Sequence, residues 1–188
     1  YGRDSRFAYC DMNKTQIESI VKNPWVRSID LIDEPGKPES TACRSIQYST
    51  LINSHPSNGL SYDPSGVKML VRDYGVVGPH IDFEGRLINL TDDFTGTHGD
   101  GVAGVMGRAG NIDPSVEGGA SGADIYVMNY LENFQDTTLD LHLNGNIMIT
   151  NSSYSNGCNA GYTSTTQTVD KQIFDHQTLM HVFSAGNS

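Results

Sequence analysis

The stretch FTGTHGDGVAGVMG, residues 94–107, offers two different chemistries in the same few residues. Gly99, Gly101 and Gly104 spell G-x-G-x-x-G, the loop that cradles a dinucleotide pyrophosphate at a helix N-terminus. His98, directly before them, is the residue type that exchanges a proton near neutral pH and therefore suits a general base. The phosphate reading needs the glycines to follow a strand directly. Here NLTDDFTGTH precedes them, a polar run whose adjacent carboxylates, Asp92 and Asp93, repel a phosphate group. Asp124 lies 20 residues past Gly104, near the spacing of a ribose-binding acid, but it opens the apolar run DIYVMNY where such an acid should close one. The nucleotide reading is set aside, and His98 remains to be placed.

From residue 66 onward, β-prone runs alternate with helix-like ones, which predicts an α/β fold: a parallel β-sheet flanked by helices. The strands are GVKMLVRD, ADIYVMNY, NIMITNSS and MHVFSAG, and the helices are HGDGVAGVMGRA, TTLDLHLNG and TVDKQIFDHQTL. The strand runs are apolar and end in polar or small residues, as strands buried on both faces do where they reach a site. Ligands of open α/β sheets sit outside the carboxyl ends of the strands. That rule selects Asp73, the stretch Asn151 to Asn156, and Ser184 to Asn187. Ahead of this body, residues 13–33 read as a short helix and a strand, with Thr15 and Glu18 at capping-box spacing and WVRSIDLI as the β-prone run. The Pro/Gly-containing DEPGKPEST breaks the pattern, dividing an N-terminal segment, residues 1–41, from the main body, residues 42–188.

The 188 residues, 37% of them apolar, suffice for one sizeable core. A net charge of −10 opposes a nucleic-acid backbone or an anionic membrane surface, so nucleic acid is excluded as a partner. No apolar run approaches the roughly 20 residues of a membrane span. Cys10, Cys43 and Cys158 lack zinc-site spacing; either Cys10 and Cys43 form one disulfide, or all three are buried thiols. His55, His80, His142, His176 and His181 are expected to be structural or surface residues.

Four stretches, in order, resemble the subtilisin-like serine protease (subtilase) family over about residues 44–188. THGDGVAG resembles its histidine motif, H-G-T-H-V-A-G, with Asp100 and Gly101 in place of Thr and His. GVKMLVRDYGV is similar to the aspartate strand V-x-V-x-D-[ST]-G, with Asp73 at the acid and Tyr74 in place of the hydroxyl residue. ITNSSYSNG resembles the substrate-binding strand N-x-S-x-G, with Ser155 where glycine is common. VFSAGNS matches the oxyanion motif. GGASGADIYVMNYL and HIDFEGRL are also similar to family stretches.

The resemblance implies a serine endopeptidase with a subtilisin-like, three-layer fold that is incomplete in this chain. His98 would act as base and then acid, Asp73 would orient the imidazole, and Asn187 would donate to the oxyanion. An extended peptide substrate would pair with Ser153, Tyr154 and Ser155 by β-augmentation. The specificity pocket would lie between Tyr154 to Asn156 and Ala185, Gly186 and Asn187, with an apolar or broad preference. The family's nucleophile stands in a G-T-S-x-A-x-P motif downstream of the asparagine, and Ser164 in GYTSTTQ is out of that order. The serine is therefore expected on a further segment or a second polypeptide, and an end at Ser188 fits a proteolytic nick. No cofactor is needed for catalysis. Asp92 and Asp93 are carboxylates a structural calcium ion would use, with a solvated loop the preferred reading. NKTQIESIVKNPWVRSIDLIDEP resembles the end of a propeptide, with a structural N-terminal arm retained in the mature enzyme as the other reading of residues 1–41, and the family implies a secreted or cell-surface protein. The rival expectation is a catalytically inactive pseudoprotease that keeps the peptide-binding cleft.

Overall fold

The computed structural model describes residues 8, 10–31, 37–38, 57, 60–92, 95–130, 134–155 and 161–186. Its frame is a five-stranded, fully parallel sheet. The strands are β2 (Lys68–Asp73), β3 (Leu87–Asn89), β4 (Asp124–Asn129), β5 (Ile149–Ser152) and β7 (Met180–Phe183), in spatial order β3-β4-β2-β5-β7. A separate two-stranded antiparallel ribbon joins β1 (Lys37–Pro38) to β6 (Tyr154–Ser155). The helices are α1 (Lys14–Ile20), α2 (His98–Gly107), α3 (Phe134–Gly145) and α4 (Ser164–Asp175).

The central strand β2 shows why the layers form. Successive side chains of a strand point to opposite faces, and here both faces are apolar. Val71 packs with Ile125 and Val127 of β4 and with Val102 and Ala103 of α2. Leu70, on the other face, packs with Met128 and Ile147, with Leu141 of α3 against them. Leu70, Val71, Ile125 and Val127 are each 0% exposed; full burial of such a side chain contributes roughly 1.5–3 kcal/mol. Helix α2 lies close to the sheet because Gly107 has no side chain: a Cβ there would stand 2.6 Å from Ile125 Cδ1.

Parallel register aligns the strand ends. Asp73 pairs with Asn129, Arg72 with Ser152, and Ser152 with Phe183. The carboxyl ends of β2, β4, β5 and β7 therefore share one edge of the sheet, the location to which the sequence points.

Four expectations are corrected. The capping box of α1 uses Asn13 and Gln16 rather than Thr15 and Glu18, because Asn13 accepts from the Gln16 N–H while the Gln16 side chain accepts from the Asn13 N–H. The run WVRSIDLI carries no strand over residues 25–31; Trp25 and Leu31 are 89% and 95% exposed, so β-branched composition finds no sheet edge there. Helix α4 begins at Ser164, ahead of TVDKQIFDHQTL, because the Thr163 hydroxyl accepts from the Thr166 N–H and starts the helix earlier. Strand β3, within HIDFEGRLIN, carries no periodic signal in the sequence, because three residues are too short a run to show one. Cys10 is exposed rather than buried, while Cys43 and Cys158 lie outside the described residues.

Candidate active site

Asp73 is the last residue of β2 and is 0% exposed. Its Oδ1 accepts two hydrogen bonds, from the Tyr74 N–H at 2.7 Å and from His98 Nδ1 at 2.5 Å. Because the partner is a carboxylate oxygen, Nδ1 is the protonated ring nitrogen, which leaves Nε2 as the basic one. The other carboxylate oxygen, Oδ2, is buried and has no hydrogen-bond partner among the described residues. Burial pushes the Asp73 carboxyl above its ordinary value, against the opposing pull of His98 and of the Tyr74 N–H.

His98 opens α2, the element that must hold its ring over the strand end. The helix start is tied directly to the aspartate loop: the Gly99 N–H donates to the Tyr74 carbonyl at 3.2 Å, and the Gly78 N–H donates to Asp100 Oδ1 at 2.9 Å. Asp100, one of the departures from the family motif, thus clasps the loop that follows Asp73. Asn89 holds the same loop, accepting from the Val77 N–H and donating to the Val77 carbonyl.

The glycines that spell G-x-G-x-x-G do different things. A Cβ on Gly99 would stand 3.2 Å from the Tyr74 carbonyl oxygen, so Gly99 permits the close approach of helix and loop. Around Gly101 there is open space, and Gly104 faces only the side chain of Arg108, the residue that caps the helix end.

The expected substrate segments leave the same edge. Ser153 follows β5 and its hydroxyl accepts from Asn151 Nδ2 at 2.8 Å. Tyr154 and Ser155 form β6, whose backbone partners are Pro38 and Lys37. Ala185 and Gly186 follow β7, exposed, with Gly186 in the left-handed region at φ 98°. The two segments are neighbours because the Ser184 N–H continues the ladder to the Ser152 carbonyl at 3.1 Å. Asn156 and Asn187 lie outside the described residues, as does Asp93, so the calcium reading of Asp92 with Asp93 has no geometry to rest on. Among the described residues no group of three or more His, Cys, Asp or Glu is placed to hold a metal ion, and no helix is long and apolar enough to cross a membrane.

Two residues that sequence reasoning missed build the floor of this edge. Tyr130, just past β4, stacks on Tyr154 with centroids 5.1 Å apart, and its N–H donates to the Asp73 carbonyl. Arg72 is buried, donates from Nη2 to the Tyr130 carbonyl at 2.7 Å and places its guanidinium 5.3 Å from the centre of the Tyr154 ring. Burial lowers the Arg72 guanidinium to about 10, which still leaves it a cation at neutral pH, and burial raises the Tyr154 phenol. The signal available was an arginine inside the apolar run MLVRD, a position that demands buried acceptors.

The other described histidines have structural partners. His80 Nδ1 accepts from the Asp82 N–H, His142 Nδ1 donates to the Ile147 carbonyl, and His181 Nδ1 bonds the Thr150 hydroxyl. His176 packs edge-on against His142. His55 lies outside the described residues.

A comparison with curated proteins found no match. Among solved structures the chain is similar to fervidolysin from Fervidobacterium pennivorans, described as a keratinolytic enzyme related to subtilisin. The TM-score is 0.50 and the identity 22%, over 67% of this chain and 22% of that one. This chain therefore spans less than a quarter of that structure's length, and the likeness is one of fold. The sequence profile of the Subtilase family matches residues 64–188, the span that contains the whole parallel sheet and the Asp73–His98 pair. The chain belongs to the subtilase family.

Proposed function

We propose that this chain is the N-terminal part of the catalytic domain of a serine endopeptidase. Asp73 and His98 supply two members of its triad, and the nucleophilic serine stands on a segment or polypeptide beyond these residues. The observation that carries the reading is the 2.5 Å bond from His98 Nδ1 to a carboxylate buried at the end of the central strand. That bond fixes the tautomer in which Nε2 can take a proton from a serine hydroxyl and return it to the leaving amine. Asn187 donates its side-chain amide to the oxyanion, and an extended peptide pairs along Ser153 to Ser155, with Asn156, Ala185 and Gly186 completing the walls. The protein acts outside the cell or at its surface.

Residues 1–41 serve in this reading as a propeptide-like segment before the peptidase part at 42–188. The support is its backbone pairing: Lys37 and Pro38 run antiparallel to Ser155 and Tyr154, on the strand proposed to bind substrate. A segment of the same chain lying there competes with a peptide for the same donors and acceptors.

Labelling of the complete protein with a fluorophosphonate probe, followed by intact-mass and terminal sequencing, tests the proposal. Expected are a labelled serine on the partner segment and loss of labelling in His98→Ala. Failure of correctly folded material to label, with peptide binding retained, would support the inactive pseudoprotease instead.

A further inference from the structure

The geometry points to Tyr74 as a positioning residue for the Asp73–His98 pair, acting through its ring as well as its backbone. Tyr74 is bonded to Asp73 and to the first turn of the helix that His98 opens. Its N–H holds the Asp73 carboxylate, and its carbonyl accepts the Gly99 N–H in the first turn of the histidine helix. Its ring lies flat against Gly96, two residues before His98: a Cβ built on Gly96 would fall 2.6 Å from the Tyr74 Cγ. The fit is reciprocal, since a Cβ on Gly75 would fall 2.8 Å from the Gly96 carbonyl carbon. Loop 74–75 and loop 95–97 are thus locked together, and His98 inherits its position from that lock.

The ring is itself held from behind. Tyr130 packs against Tyr74 with centroids 5.6 Å apart and stacks on Tyr154 at the other side. An aromatic row therefore runs from the loop beside His98 to the strand proposed to bind substrate. The phenol oxygen contributes little: its contact with the Thr95 hydroxyl is 3.4 Å long and exposed. Packing of the ring, rather than its hydroxyl, is what seats the histidine loop.

The inference rests on the peptidase reading only for its kinetic arm. In the complete protein labelled with 15N-histidine, the Nδ1 proton of His98, drawn downfield by so short a hydrogen bond, is identified by its absence in His98→Ala. Tyr74→Ala should broaden or shift that resonance and lower kcat roughly 10- to 100-fold with KM within about threefold, as expected for a misplaced base. Tyr74→Phe should restore both the resonance and kcat. Gly96→Ala should mimic Tyr74→Ala, and combining the two should recover part of the loss, because removing the ring makes room for the new methyl group. A folded Tyr74→Ala with an unchanged His98 resonance would overturn the inference, as would Gly96→Ala and Tyr74→Ala losses that simply add. A perturbed resonance in a protein without peptidase activity would refute the enzymatic reading and leave the positioning role standing. Should Tyr74→Ala fail to fold, Tyr74→Leu gives the same comparison with apolar bulk retained.

Discussion

Acidification should loosen the strand that leads into the proposed oxyanion segment. His181 lies on β7, between Met180 and Val182, and four residues later the chain reaches Ala185. Its Nδ1 bonds the Thr150 hydroxyl of β5 at 2.9 Å, its ring stacks on Phe183, and His142 of α3 faces it electrostatically. Burial, reinforced by His142, lowers the His181 imidazole from 6.5 to about 4. The unfolded chain therefore takes up the proton at a higher pH than the folded one. Stability is fully present above about 6.5 and is lost as pH falls toward about 4, below which both states are protonated. Each pH unit between the two values is worth about 1.36 kcal/mol, so the ceiling is about 3.4 kcal/mol. The ring is only part-buried, and solvent screening brings the expected loss to about 1–2 kcal/mol. Urea unfolding of the complete protein and of His181→Gln, from pH 7.5 to 4.5, isolates this contribution from the many carboxylates that titrate in both. The stability difference between the two should change by that amount, in the direction that narrows the parent's advantage at low pH. A difference that stays flat within about 0.3 kcal/mol across the range would refute the reasoning.

Two other perturbations probe the pair itself. His98→Ala at pH 8 should lower stability by about 1.5–3 kcal/mol in urea unfolding, because it removes a hydrogen bond to a buried carboxylate whose other oxygen is already without a described partner. Gly75→Ala should cost at least about 2 kcal/mol in the same assay, since Gly75 sits at φ 86° and its new methyl would strike the Gly96 backbone; it should also displace the His98 loop and depress activity.

Most of the fold was legible in one dimension because it rests on short-range rules. The runs GVKMLVRD and DIYVMNY are apolar on both faces, which only a strand covered twice requires, and β2 and β4 form where those runs lie. The order of motifs likewise brought Asp73 and His98 forward as a pair. What failed was local pattern without a partner: WVRSIDLI has strand composition but no sheet edge to join over its described residues, while LIN, too short to show a period, gains one beside β4. The packing of the Tyr74, Tyr130 and Tyr154 rings on one another was invisible for a related reason. Their neighbours in space are far apart in the chain.

The chain's sequence, by itself, determined the class of the fold and singled out the candidate residues at the carboxyl ends of its strands, because alternation, apolar runs and motif order are properties of the chain. Tertiary structure alone decided three further things. It brought His98 Nδ1 to 2.5 Å from a carboxylate that burial had stripped of water, it placed a buried arginine beneath Tyr154, and it laid Lys37 and Pro38 along the strand proposed for substrate. Each depends on distances between segments tens of residues apart, and those distances exist only once parallel register and the packing of α2 have closed the loops between them.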